Sequence, residues 1–153
     1  MIKLDVPTLA QELDMCCWHT SAMMIWQYWQ KVSGRQGPMN TVAPVYTANT
    51  GLPATAQSFI VLARKVGLLD VALKNTHSTQ DLERYLGKYG PIWCAGTWYG
   101  FGHVIVLTGV EGGTVYLNDP DGGVKKEGRL DWFNKELMNG LAGCMMYKDP
   151  AAY

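Results

Sequence analysis

The chain has little charge, no long apolar run and no metal-ligand spacing, and each shortage removes a class of function. Charged residues make up 17% of the sequence, and 13 basic side chains balance 13 acidic ones. No overall field therefore draws it to nucleic acid or to an anionic membrane surface. No stretch approaches the roughly 20 apolar residues of a membrane helix, and the polar opening MIKLDVPTLAQELD lacks the apolar core of a signal peptide. The 4 cysteines stand at 16, 17, 94 and 144; two are adjacent and none shows paired metal-ligand spacing, so reduced thiols and no metal are expected. Internal repeats, low-complexity tracts and linkers are also missing, which predicts a single domain over residues 1–153.

What is present is core material. Hydrophobic residues reach 48%, with 6 Trp and 8 Tyr, and 153 residues suffice to close one core without disulfides or metal. Residues 17–32 place Trp18, Ala22, Ile25 and Trp29 at helical spacing, with Asp14 upstream as a cap and Ser33-Gly34 as a stop. AQSFIVLARKVG reads as a second helix closed by Gly67, after a polar stretch from Gly34 to Pro53. Ser78 to Asp81 caps a third, DLERYLGKY, which Gly90-Pro91 ends. From there the period changes. PIWCAGTW, HVIVLTGV and TVYLNDP read as consecutive strands, the last two joined across Glu111-Gly112-Gly113; LDWFNKELM is a short helix and AGCMMYKD a closing strand. Helices first and antiparallel strands afterwards define the α+β class.

The stretch QELDMCCWHTSA carries the chemistry. A cysteine in the first turn of a helix faces unsatisfied N–H groups and the positive end of the dipole, which favours its thiolate, so Cys17 is expected to titrate below a free cysteine. A thiolate nucleophile needs a base, and the base needs an orienting partner. His103 opens one strand and Asp119 closes the next. With a loop of the three residues 111 to 113, Val110 faces Thr114 and Ile105 faces Asp119, so His103 is diagonal to Asp119 on one sheet face. A loop one residue shorter or longer turns Asn118 to that face instead, which makes Asn118 the fallback partner.

Other candidates have plainer readings. Cysteine is often a small core residue, and Cys16, Cys94 and Cys144 are read that way. His19 stands two positions from Cys17, where helix neighbours point apart, and is read as structural. His77, in the polar loop KNTHSTQ, is read as solvated. Trp18, Trp26 and Trp29 span more than one helix face and belong mostly to the core. Trp98, Tyr99 and Phe101, between Gly96 and Gly102, are read as walls of a cleft. Asp119-Pro120-Asp121-Gly122 has the composition of a turn, but His103's need for a partner puts Asp119 in the site.

VPTLAQELDMCCW, with Gln11 six residues before Cys17, GHVIVLTGV with His103, and VYLNDP with Asp119 together resemble the papain-like cysteine peptidases. The likeness is to the compact bacterial kind that includes bacteriocin-processing peptidases and secreted effector proteases. It implies the papain-like fold, N-terminal helices with the cysteine at a helix start packed on a C-terminal antiparallel sheet. It also implies a Cys-His-Asp triad of Cys17, His103 and Asp119, with Gln11 in the oxyanion hole. The spacing from Gln11 and the tryptophan that follows the nucleophile in this pattern select Cys17 over Cys16. The implied activity is peptide-bond cleavage through a thioester, with no cofactor, on a protein or peptide substrate.

By kind, the resemblance further implies an effector or interbacterial toxin acting in a target-cell cytosol, delivered by a specialised secretion system, with a cognate immunity or inhibitor protein in the producer. With so short a lead before Gln11, no long inhibitory prosegment is expected. Two other functions fit the same residues: acyl transfer at glutamine side chains, as in a deamidase or transglutaminase, and a non-catalytic peptide-binding module.

Overall fold

The computed structural model describes residues 1–12, 17–35 and 55–151. Asp14, Cys16 and most of the stretch from 34 to 53 lie outside them. Helix α1 (Cys17–Ser33), at 17 residues the longest described helix, begins at the expected cysteine. It is followed by α2 (Ala56–Val66), whose first turn is capped by Thr55 Oγ1 accepting from the Ser58 N–H at 3.1 Å. Helix α3 (Thr79–Tyr89) starts on a full capping box: Ser78 Oγ accepts from the Asp81 N–H, and the Asp81 carboxylate accepts from the Ser78 N–H. Gly90, at φ 76°, ends it. Helix α4 (Leu130–Glu136) is the short one expected before the closing strand.

Among the described residues seven strands form one antiparallel sheet: β1 (Ile2–Lys3), β2 (Leu68–Asp70), β3 (Ile92–Gly96), β4 (His103–Glu111), β5 (Thr114–Asp119), β6 (Val124–Arg129) and β7 (Met145–Lys148). The order across it is β2-β7-β3-β4-β5-β6, with β1 pairing β4. The short strands β1 and β2, and the exposed β6, have no apolar alternation and are absent from the pattern read in the sequence. This is the α+β papain-like architecture that the sequence led us to expect.

Strand β4 is the spine. Eight of its nine residues are buried, the mark of a strand covered on both faces. Helix α1 packs on β4 and β3, and α3 packs on β4 and β1. Two hydrogen bonds fix where α1 begins relative to the sheet. The fully buried Trp93 on β3 donates its indole N–H to the Trp18 carbonyl at 3.0 Å, and Ser21 Oγ donates to the Val104 carbonyl at 3.3 Å. Losing the Trp93 side chain would cost roughly 3–5 kcal/mol in packing alone and would loosen the helix start it holds.

The β4–β5 hairpin corrects the expected loop. Glu111 pairs with Thr114 and Val110 with Val115, so the turn is the two residues Gly112-Gly113, with Gly112 at φ 55°. Gly112 supplies the left-handed backbone such a turn needs, and Glu111 stays in the ladder. Taken alone, that shorter loop would have sent Asn118 to the His103 face. A bulge between Leu107 and Gly109 takes up one residue, so that Leu107 pairs with Leu117 and Val106 with Asn118. The continued register sets Asp119 opposite Ile105, as in the original expectation. Gly109 permits the bulge's close neighbour: a Cβ there would stand 2.7 Å from the Ile2 carbonyl oxygen.

Candidate active site

Cys17 is the first residue of α1 and is partly exposed; His103 is the first residue of β4 and Asp119 the last of β5. The structure brings all three together. His103 Nε2 lies 2.7 Å from Asp119 Oδ1, in a pair that is 5% and 1% exposed at the side chains. With Nε2 engaged by the carboxylate, the imidazole also interacts with the Cys17 side chain. Burial alone would depress His103. The Asp119 hydrogen bond, then the interaction with Cys17, outweigh burial and lift the imidazole to about 9. At neutral pH the ring is therefore an imidazolium beside the Asp119 carboxylate. Burial likewise pushes the Asp119 carboxyl upward, but hydrogen bonds from His103, Lys126 and the Asp121 N–H hold it below the ordinary carboxylate value.

Asn118, the fallback partner, points the other way and does a different job. Its Nδ2 donates to the Val6 carbonyl at 3.0 Å and to Pro7 at 3.3 Å, so it holds the segment that leads to Gln11. That segment is pinned again where the Gln11 N–H donates to the Pro120 carbonyl at 2.7 Å. Around Gly123 the contact is close enough that a Cβ would come within 2.9 Å of the Ala10 nitrogen. The half-buried Gln11 is thus carried by the turn that follows Asp119, and strand β5 anchors both ends of the site.

The loop from Thr97 to Gly102 splits its aromatics. Trp98 is buried against Trp132 and Phe133 and belongs to the core, contrary to its expected place in the cleft wall. Tyr99 and Phe101, 41% and 55% exposed, tilt against the His103 ring with centroids 6.3 and 5.8 Å away. The bland readings of Cys94 and Cys144 hold: both are buried, and burial raises Cys94 well above and Cys144 to about 11. His77 corrects its reading as a solvated residue. It is 2% exposed, its Nδ1 lies 3.2 Å from Tyr85 Oη, and Asn134 brackets its backbone at both N–H and carbonyl. His19 contacts Trp18 edge to face and is half-buried, as a structural residue would be.

Sequence reasoning missed one residue here altogether. Lys126, on the unpredicted β6, places Nζ 2.8 Å from Asp119 Oδ2. The signal was in the turn: Pro120 to Gly123, once taken as a hairpin loop, makes Val124 the partner of Asp119 and returns VKKEGR to the same sheet. Among the described residues no group of His, Cys, Asp and Glu could hold a metal ion.

A helix-start cysteine facing a carboxylate-oriented histidine on an antiparallel sheet is the construction of the papain-like cysteine proteases, and this chain is one. Residues 1–138 match the family model described as "Papain-like cysteine protease AvrRpt2", so the chain belongs to that family. No curated protein matches it in sequence. Among solved structures it is similar to a double glycine motif protease from an AMS/PCAT transporter in complex with the leader peptide. That match has 20% identity and TM-score 0.61, and covers 95% of this chain and 91% of the other. A protein described as a C39-like peptidase from Bacillus anthracis aligns at 18% identity and TM-score 0.64, over 95% and 96% of the two chains. The peptidase domain of Streptococcus ComA, a bifunctional ABC transporter of a quorum-sensing pathway, aligns at 17% and 0.60, over 94% and 98%. At these identities the likeness is one of fold.

Proposed function

We propose that Cys17, His103 and Asp119 act as nucleophile, acid–base and orienting residue in the hydrolysis of peptide bonds. The observation that supports this is the meeting of the three at His103, whose Nε2 lies 2.7 Å from Asp119 Oδ1 and whose imidazole also interacts with Cys17. The imidazolium is the electrostatic partner of a thiolate, which attacks the scissile carbonyl carbon. Charge builds on the carbonyl oxygen, where the Cys17 backbone N–H at the helix start and the Gln11 amide are in our reading the donors. His103 then passes its proton to the departing amine, leaving a thioester on Cys17. In the second half, neutral His103 takes a proton from water, which attacks the thioester and regenerates the thiolate–imidazolium pair. Asp119 fixes the ring's tautomer and orientation throughout.

The substrate is a peptide or protein segment lying past the exposed Tyr99 and Phe101; that one structural neighbour is a protease in complex with a leader peptide supports a peptide substrate. We place the enzyme in a reducing compartment, which a thiolate nucleophile requires. With that goes the effector or toxin role in a target-cell cytosol, and the immunity protein it would call for in a producing cell.

Mapping new N-termini in a cytosolic proteome treated with the full chain and with Cys17→Ala tests the activity. New termini made only by the unsubstituted chain support it. Ammonia release without new termini would replace it with deamidation. Binding that is equal with and without the Cys17 sulfur, and no cleavage, would leave a binding module.

A further inference from the structure

A row of three charged groups crosses strands β4, β5 and β6 on one sheet face. Asp119 pairs with Val124, so Lys126, two residues on, is its diagonal neighbour, just as His103 is on β4. We propose that Lys126 is a positioning residue of the active site: its ammonium occupies Oδ2 of Asp119, so that Oδ1 alone is turned to the His103 ring.

The geometry leaves the carboxylate no slack. Asp119 is 1% exposed, so each oxygen must find its partner inside the protein. Oδ1 takes His103 at 2.7 Å and the Asp121 N–H at 2.9 Å; Oδ2 takes Lys126 at 2.8 Å. Lys126 is itself held from the other side, since its Nζ stands 4.3 Å from the Tyr99 ring centroid, within cation–π range. Rotation of Asp119 about its terminal bond would break three hydrogen bonds at once. A surface lysine on an edge strand is ordinarily a solubility device, and its neighbour Lys125 is a good example, being exposed and paired only at 4.0 Å with an exposed Asp5. Lys126 differs because it reaches a buried acid.

The consequence is chemical as well as steric. His103 must keep a proton in the resting site and then release it to the leaving amine. A carboxylate that served His103 alone would grip that proton harder; one shared with Lys126 grips it less. The titratable and charged groups facing the pair are Asp119, Tyr99 and His103, with Cys17 beyond the ring; Lys125 and Glu127 alternate to the opposite sheet face.

This proposal rests on the triad reading, but its first readout does not need turnover. The His103 ring protons are titrated by NMR in the full chain carrying Cys17→Ala, with and without Lys126→Met. The midpoint is expected to move upward in Lys126→Met and to stay in place in Lys126→Arg, which keeps the charge. In the active chain, Lys126→Met is expected to lower kcat on the order of tenfold with KM unchanged, and Lys126→Arg to recover most of it. If Lys126→Met does not fold, Lys126→Gln carries the same comparison. A midpoint that is unmoved or falls, or a change in KM alone, overturns the proposal. An unsubstituted chain that cleaves nothing would sink the hydrolase reading while leaving the titration to decide Lys126.

Discussion

His103 opens β4 and His77 lies in the turn before α3; both rings are sealed from solvent, at 6% and 2% exposure, yet they titrate in opposite directions. Burial depresses each. At His77 it prevails, because the Asp81 charge and the nearby Asn139 amide are too weak to offset it, and the ring's partner at 3.2 Å is a neutral tyrosine hydroxyl. At His103 the same burial is overcome by a carboxylate at 2.7 Å and by Cys17. What separates a structural from a chemically poised histidine is the charge of its hydrogen-bond partners, with depth of burial nearly equal.

The sharpest way to break this contrast is to remove Cys17, the nucleophile we propose. Cys17→Ala is expected to lower kcat by at least ~10^4-fold, since the other members of a triad do little without the attacking atom; peptide turnover by the purified variant, with its fold checked by circular dichroism, measures it. Next comes Asp119→Asn, expected to cost on the order of 10^2- to 10^4-fold in kcat. It should also move the alkaline limb of kcat/KM downward from about 9, because the Asp119 hydrogen bond is the largest influence raising His103. Below about 9 the folded chain keeps the imidazolium. The stability this ion pair contributes is fully present below the unfolded value of about 6.5 and is lost as pH rises through about 9. An alkaline limb indifferent to Asp119→Asn would dissociate the pair from the chemistry.

The thiols extend the comparison. Iodoacetamide near neutral pH is expected to modify Cys17 at least ~100-fold faster than Cys94 or Cys144 in the folded chain. The latter two are buried, with Cys94 pushed well above the ordinary thiol value and Cys144 to about 11. Peptide mass mapping against time reads the three sites separately; comparable rates in the native state would contradict the buried placement.

How much of this was legible in the sequence depends on the length over which each signal is written. Helix α1 and the spine β4 declare themselves through many consecutive side chains, and α3 through the Ser78–Asp81 box. The His103–Asp119 pairing was reached by a route with two local features that cancel: a two-residue turn in place of three, and a bulge at Thr108 that restores the register. Neither is written in hydrophobic alternation, because Thr108 and Gly109 bulge where β1 pairs alongside, a long-range contact. Strand β6 escaped for the opposite reason, being an exposed edge with no buried face to alternate. His77 was misread because polar neighbours in sequence said nothing of Asn134 and Tyr85, which enclose it from α4 and α3.

The smallest expected effect tests the structural half of the pair. His77→Ala removes a buried ring and its hydrogen bond to Tyr85, and is expected to cost about 1–3 kcal/mol of stability while leaving kcat within about twofold. The sign of its pH dependence follows from the depressed titration. Above the unfolded value of about 6.5, His77 is neutral in both states and contributes its full packing. As pH falls below that value the unfolded chain takes up a proton that the folded site resists, so the contribution shrinks. Urea unfolding of both chains at pH 7.5 and pH 5.5 should therefore show a smaller difference at the lower pH. A difference that grows on acidification would mean that His77 gains an anionic partner in the fold and is held there as a cation. A folded His77→Ala chain with a large fall in kcat would place His77, too, within reach of the chemistry.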